Sequence, residues 1–164
     1  MRRLLAIAGA TVAIAMVATG CGGKSTTSSS APASSSATAT GGAMVMVKSS
    51  KLGAILVDGK GRTLYLFEKD QGKASSCYGA CAGGWPPDTT NGAPRAGAGV
   101  SASLLGTTTR TDGKTEVTYH GHPLYYFAGD RKPGDTNGEG LKAFGAEWYV
   151  LSAAGNKVEE EEGS

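Results

Sequence analysis

Two kinds of apolar pattern occur along the chain. The first is one run, Leu4–Ala18, broken only by Gly9 and Thr11. It falls short of the roughly 20 apolar residues that a membrane-crossing helix needs, and no later run is longer. The second is a series of short β-prone segments: Met44–Val47, Ala54–Val57, Thr63–Phe67, Thr107–Thr111, Thr115–Tyr119, Leu124–Phe127 and Trp148–Leu151. Turn-forming pairs lie between them at Asp58-Gly59, Asn91-Gly92, Asp112-Gly113 and Asn137-Gly138. Short strands punctuated by such pairs predict an all-β antiparallel domain. Only Ser101–Leu105 and Leu141–Phe144 suggest helical turns.

One segment occurs twice. Gly61–Asp70 reads GRTLYLFEKD and Gly121–Asp130 reads GHPLYYFAGD, so Gly, Leu, Tyr, Phe and Asp coincide at an offset of 60 residues. A tryptophan follows each copy, at Trp85 and Trp148. A repeated supersecondary unit closing one shared core accounts for this. In the first copy Tyr65 and Phe67 alternate with Leu64 and Leu66, so both faces of that strand are apolar and both must be covered. The expected fold is a small antiparallel sandwich or barrel-like domain of two related repeats, at about 52–90 and 106–152.

The ends of the chain supply its address. Arg2-Arg3, the short apolar run and the small residues after it are the parts of a secretory signal. Val17-Ala18-Thr19-Gly20 before Cys21 matches the lipobox of bacterial lipoproteins, although Leu is commoner than Ala three places before the cysteine. The expectation is a signal peptide over 1–20, cleaved before a Cys21 that becomes lipid-modified. A diacylglyceryl group supplies two acyl chains, at about 0.8 kcal/mol per buried methylene, which suffices for stable anchoring. Residues 22–43 carry Ser or Thr at 11 of 22 positions, with nothing to bury, so 21–43 is expected to be a disordered tether. The β domain then spans 44–158, and 159–164 form an acidic tail. Sixteen basic residues less the two N-terminal arginines leave fourteen, equal to the fourteen acidic ones. That balance gives no basic footprint for nucleic acid.

Candidate chemistry is sparse. Cys77 and Cys81 are an isolated pair in an exported chain, which points to a structural disulfide; redox or metal use is the alternative. His120 and His122 would share a face on a strand and could bind copper or zinc. They sit where a tight turn is expected, with no further ligand nearby, so no metal is assigned. Asp135, Asn137 and Glu139 resemble half of a calcium loop, but the twelfth position is Ala146 rather than Glu. Asp70 and Asp130 each open a loop after a strand, where aspartate accepts hydrogen bonds from loop amides. No nucleophile–base set, phosphate loop or zinc signature is present, and no cofactor is expected.

With these residues in view, the chain resembles the bacterial secreted-repeat lipoproteins, described by a Tyr-x-(aromatic)-x-x-Asp motif. The motif is Tyr65-Leu66-Phe67-Glu68-Lys69-Asp70 and Tyr125-Tyr126-Phe127-Ala128-Gly129-Asp130. The resemblance extends to Cys77–Cys81, Trp85-Pro86-Pro87, Arg110–Gly113 and Trp148-Tyr149. It implies a location and an architecture, and no catalytic residues. The resulting expectation is a lipoprotein anchored at the extracytoplasmic face of the cell membrane, acting as a non-enzymatic binding or structural module. The alternative is a redox or metal-handling module using His120, His122 and the cysteine loop. The lipid anchor makes the membrane one partner, and the sequence specifies no protein or small-molecule partner.

Overall fold

A computed structural model of the protein describes residues 41–159. The signal run, Cys21, the tether up to residue 40 and the tail from Glu160 onward lie outside them. The strands are β1 Met44–Ser50, β2 Gly53–Asp58, β3 Tyr65–Phe67, β4 Arg95–Ala96, β5 Leu105–Thr109, β6 Thr115–Tyr119, β7 His122–Pro123, β8 Leu141–Ala143 and β9 Ala146–Val150, with a single helical turn α1 at Ala80–Gly84. They form three small sheets ordered β2-β1-β4, β3-β9-β8 and β5-β6-β7. Every pairing is antiparallel except that of β1 with β4. The all-β fold of two repeats is thus found.

Local differences from the sequence reading have physical causes. Leu141–Phe144 is no helical turn. Leu141 and Ala143 pair with Trp148 and Ala146, and Phe144 and Gly145 take φ of 57° and 99°, as a two-residue hairpin loop matched to strand twist demands. The turn α1 carries no amphipathic pattern. It is Gly/Ala-rich, and the Cys77–Cys81 disulfide closes across its start. Ala43, placed in the tether, joins the domain: its N–H donates to Thr90 Oγ1 at 2.8 Å and its carbonyl accepts from Arg95 N at 2.8 Å.

The repeats are interlocked. The stretch Trp85–Asp88 follows the first motif in sequence but pairs with the second, through Tyr126 N to Pro86 O (2.8 Å) and Asp88 N to Leu124 O (2.8 Å). Conversely β9, which follows the second motif, pairs with β3 of the first, aligning Tyr65 with Val150 and Phe67 with Trp148. The tryptophan segment of each repeat therefore completes the other. Tyr65 and Tyr125 exchange both backbone hydrogen bonds, at 2.8 and 3.0 Å. Equivalent residues meeting in an antiparallel bridge define a local two-fold axis.

Alternation along β3 sorts its side chains between two clusters. Tyr65 and Phe67 join Ile55, Val57, Trp85, Tyr125 and Trp148, while Leu64 and Leu66 join Val45, Leu56, Val117, Leu124 and Leu151. Both faces are covered, as the sequence requires. On the first side three rings stack in series across the axis and a fourth leans on the end of the stack. Phe67 lies on Trp148 (4.0 Å), Trp148 on Trp85 (3.9 Å), and Trp85 on Phe127 (4.4 Å). Tyr65 and Tyr125 meet Trp85 and Trp148 edge-on.

Phe67 is buried, whereas Phe127, read from the motif as its core equivalent, is only partly buried at one end of the stack. Phe67→Ala should then cost about 3–5 kcal/mol and Phe127→Ala about 2–3 kcal/mol, since the second side chain gives up less apolar burial. Reducing the short Cys77–Cys81 loop should cost about 2 kcal/mol. Urea unfolding of the three proteins against the parent checks this order.

Candidate functional site

The motif's polar residues face each other across the two-fold axis. The Tyr65 hydroxyl donates to Asp130 Oδ2 at 2.7 Å, and the Tyr125 hydroxyl donates to Asp70 Oδ2 at 2.7 Å. Each aspartate also ties its own loop with Oδ1. Asp70 accepts from Ser76 N and Oγ (2.8 and 2.7 Å), and Asp130 accepts from Asn137 N and Nδ2 (2.9 and 3.1 Å). Burial raises the pKa of both carboxyls and pushes both tyrosine hydroxyls well above their usual range, the latter helped by the facing carboxylates. Each carboxylate thus accepts three hydrogen bonds.

A buried ion pair fastens the cysteine loop to the second repeat. Arg110 Nη1 binds Glu116 Oε2 at 2.9 Å, both side chains being fully buried. The same guanidinium donates to Ser75 Oγ (2.6 Å) and Cys77 O (2.7 Å) and lies over the Tyr78 ring. Burial pushes the Glu116 carboxyl up to about 7, with Arg110 pulling the other way. The sequence reading placed Arg110 only within the family resemblance and missed its pairing with Glu116.

The metal and redox candidates are dispersed into structural tasks. His120 forms the β6–β7 turn with Gly121 and His122 opens β7, their ring centroids 6.4 Å apart. Among the described residues no group of three or more His, Cys, Asp or Glu side chains is placed to hold a metal ion. Asp135 accepts from the backbone of Arg131 and Lys132, Asn137 donates to Asp130, and Glu139 accepts from Val150 N. Cys77 and Cys81 are joined and buried.

Two clefts flank the interlocked strands, built by equivalent residues. One of about 420 Å³ is lined by Arg62 and by Tyr126, Phe127, Ala128 and Asp130 of the second motif. The other, about 560 Å³, is lined by His122 and by Leu66, Phe67, Glu68 and Asp70 of the first. An offset of 60 residues maps one set onto the other. Their charges differ. The first also takes in Lys60, Arg131 and Lys132. In the second, Lys157 is neutralised by Glu68 (2.8 Å) and Glu159 (2.6 Å). Sequence reasoning missed this asymmetry, although Arg131-Lys132 follow Asp130 where Gln71-Gly72 follow Asp70.

Beneath the basic cleft lies a polar cluster. Asp58 pairs with Arg62 at 2.7 Å, and Arg62 stacks over the Tyr126 ring at 3.9 Å. Tyr126 in turn donates to Asp88 Oδ1 at 2.7 Å. Asp88 is 3% exposed, and its Oδ2 has no hydrogen-bond partner among the described residues. Burial, with Asp58 adding like charge, pushes the Asp88 carboxyl up to about 6.

A folded pKa above the unfolded one, about 3.9 for aspartate, gives stability that is fully present below the lower value. It is lost as pH rises through about 6. Asp88→Asn keeps an acceptor for Tyr126 without the charge. It should gain on the parent as pH rises from 4 to 7, by at most about 3 kcal/mol at two pKa units. Urea unfolding at half-unit steps, read as the difference between the two proteins, checks it.

Residues 46–88 and 106–152, together more than half of the chain, match the family described as a secreted repeat of unknown function. Each matched stretch holds at least one hairpin, one Tyr-x-Phe-x-x-Asp segment and one tryptophan. No curated protein and no solved structure matches the chain. With two copies of the unit covering most of its folded part, the chain belongs to the secreted-repeat family.

Proposed function

We propose that the protein is a lipoprotein held at the extracytoplasmic face of the cell membrane through Cys21, and that its β domain is a non-enzymatic binding or structural module of the envelope. Membership of a secreted family puts the domain outside the cytoplasm. The lipobox spacing before Cys21 supplies the anchor, and the Ser/Thr-rich tether lets the domain reach away from the membrane.

One observation carries the non-enzymatic reading. The duplicated carboxylates, Asp70 and Asp130, are the acidic groups most suggestive of paired acid–base work, and each is held by a tyrosine of the other repeat and by its own loop. The motif is thereby accounted for as a fastening. A redox role for the cysteine loop would need an accessible sulfur, and both sulfurs belong to buried residues.

Cys21→Ser tests the anchor. The variant should incorporate no labelled fatty acid and should leave the membrane fraction or persist as uncleaved precursor; fatty-acid labelling that survives the change would refute it. Affinity capture from intact envelopes, with the two-repeat domain as bait, tests the binding role.

A further inference from the structure

Two clefts raised on the same repeated residues differ in charge, with Arg62 in one where His122 stands in the other and Ala128 where Glu68 stands. In the basic one Lys60, Arg62, Arg131 and Lys132 surround a floor of Tyr126, Phe127 and two prolines. All four cations are exposed. Arg62 is held by Asp58, whereas Lys60, Arg131 and Lys132 have no side-chain hydrogen bond or ion pair among the described residues. The nearby carboxylates are engaged elsewhere. Asp130 is faced by Tyr65 and Asn137, Asp135 caps the backbone of Arg131 and Lys132, and Asp58 takes Arg62. Like charges gathered at one rim repel, and no ion pair closes on Lys60, Arg131 or Lys132 among the described residues, in contrast to Lys157 across the axis. The near-zero charge of the mature chain conceals this local excess.

We propose that this cleft binds a phosphorylated ligand, its phosphoryl oxygens on Lys60, Arg131 and Lys132 and an attached ring or apolar portion on Tyr126 and Phe127. The charge decides the class. Three unpaired cations call for more than the single charge of a carboxylate, and a phosphomonoester brings about −1.5 to −2 with three strong acceptor oxygens. The size agrees, since about 420 Å³ falls within the roughly 300–1,000 Å³ of small-molecule sites. The proposal rests on reading the domain as a binding module and specifies what it binds. A soluble phosphomonoester and the headgroup of phosphatidic acid share this chemistry.

The test uses the full mature chain as the Cys21→Ser variant, titrated by calorimetry with inorganic phosphate and with phenyl phosphate. Flotation with vesicles containing phosphatidic acid, against pure phosphatidylcholine vesicles, forms the second arm. Phenyl phosphate should bind about tenfold more tightly than inorganic phosphate, which corresponds to one decade in Kd. The double variant Lys60→Gln/Lys132→Gln should weaken it at least tenfold, while Lys157→Gln in the opposite cleft leaves it unchanged. Saturable binding of the ester alone assigns a soluble ligand; flotation that the double variant abolishes assigns a headgroup. Because the substituted residues are exposed, each variant should melt like the parent, and Arg131→Gln replaces any that does not. No saturable binding in either arm overturns the proposal, as does equal weakening by Lys157→Gln. Equal affinity for the two phosphates overturns the aromatic floor. Failure here alongside a partner captured from envelopes would remove the phosphate ligand and leave the binding module standing.

Discussion

Each motif opens on a tyrosine whose hydroxyl finds no acceptor within its own repeat. Its own aspartate lies five residues on, beyond the end of a strand whose partner is the opposite repeat. The acceptor within reach is the other copy's aspartate, and the bond is made twice, Tyr65 to Asp130 and Tyr125 to Asp70. A hydrogen bond to a charged group contributes about 1.5–3 kcal/mol, and a buried tyrosine left without one would cost a comparable amount. The spacing of the motif follows. Tyrosine must sit at the crossing point, phenylalanine two residues on to enter the same cluster, and aspartate beyond the strand where its second oxygen can tie the loop.

Around that crossing the rings and the ion pair divide the remaining work. The stack from Phe67 through Trp148 and Trp85 to Phe127 buries the largest side chains and spans both repeats. The cysteine loop is long and poor in strand. It is held by Arg110 from the second repeat rather than by its disulfide alone, whose small ring contributes little chain entropy. Removing one member of such a buried pair is expensive because the other charge stays behind.

Much of the fold was legible because it obeys period-two patterning. The apolar alternation of Leu64–Phe67 set two covered faces, and the 60-residue offset identified the repeats. What remained hidden was of two sorts. Periodicity says nothing about which strand a segment joins, so the exchange of the Trp85 and Trp148 segments could not be read. Nor could β8, whose hairpin depends on a phenylalanine at positive φ. The basic cleft was hidden because Lys60 and Lys132 lie far apart in sequence and total charge averages them away. Only position-by-position comparison of the two copies shows where one has gained cations.

The exchange of tryptophan segments has a consequence for how such a unit can exist at all. A lone repeat would expose an unfilled motif strand and, elsewhere on itself, the segment that fits it. Such a surface is self-complementary, and two separate copies meeting on it would form an isologous dimer. Placing both copies in one chain turns that encounter into an intramolecular one, governed by linker length rather than by protein concentration. For a secreted protein at low concentration, tandem duplication secures the assembled state in every molecule. It also releases the two halves from identity, so one cleft can change while the other keeps the lock closed.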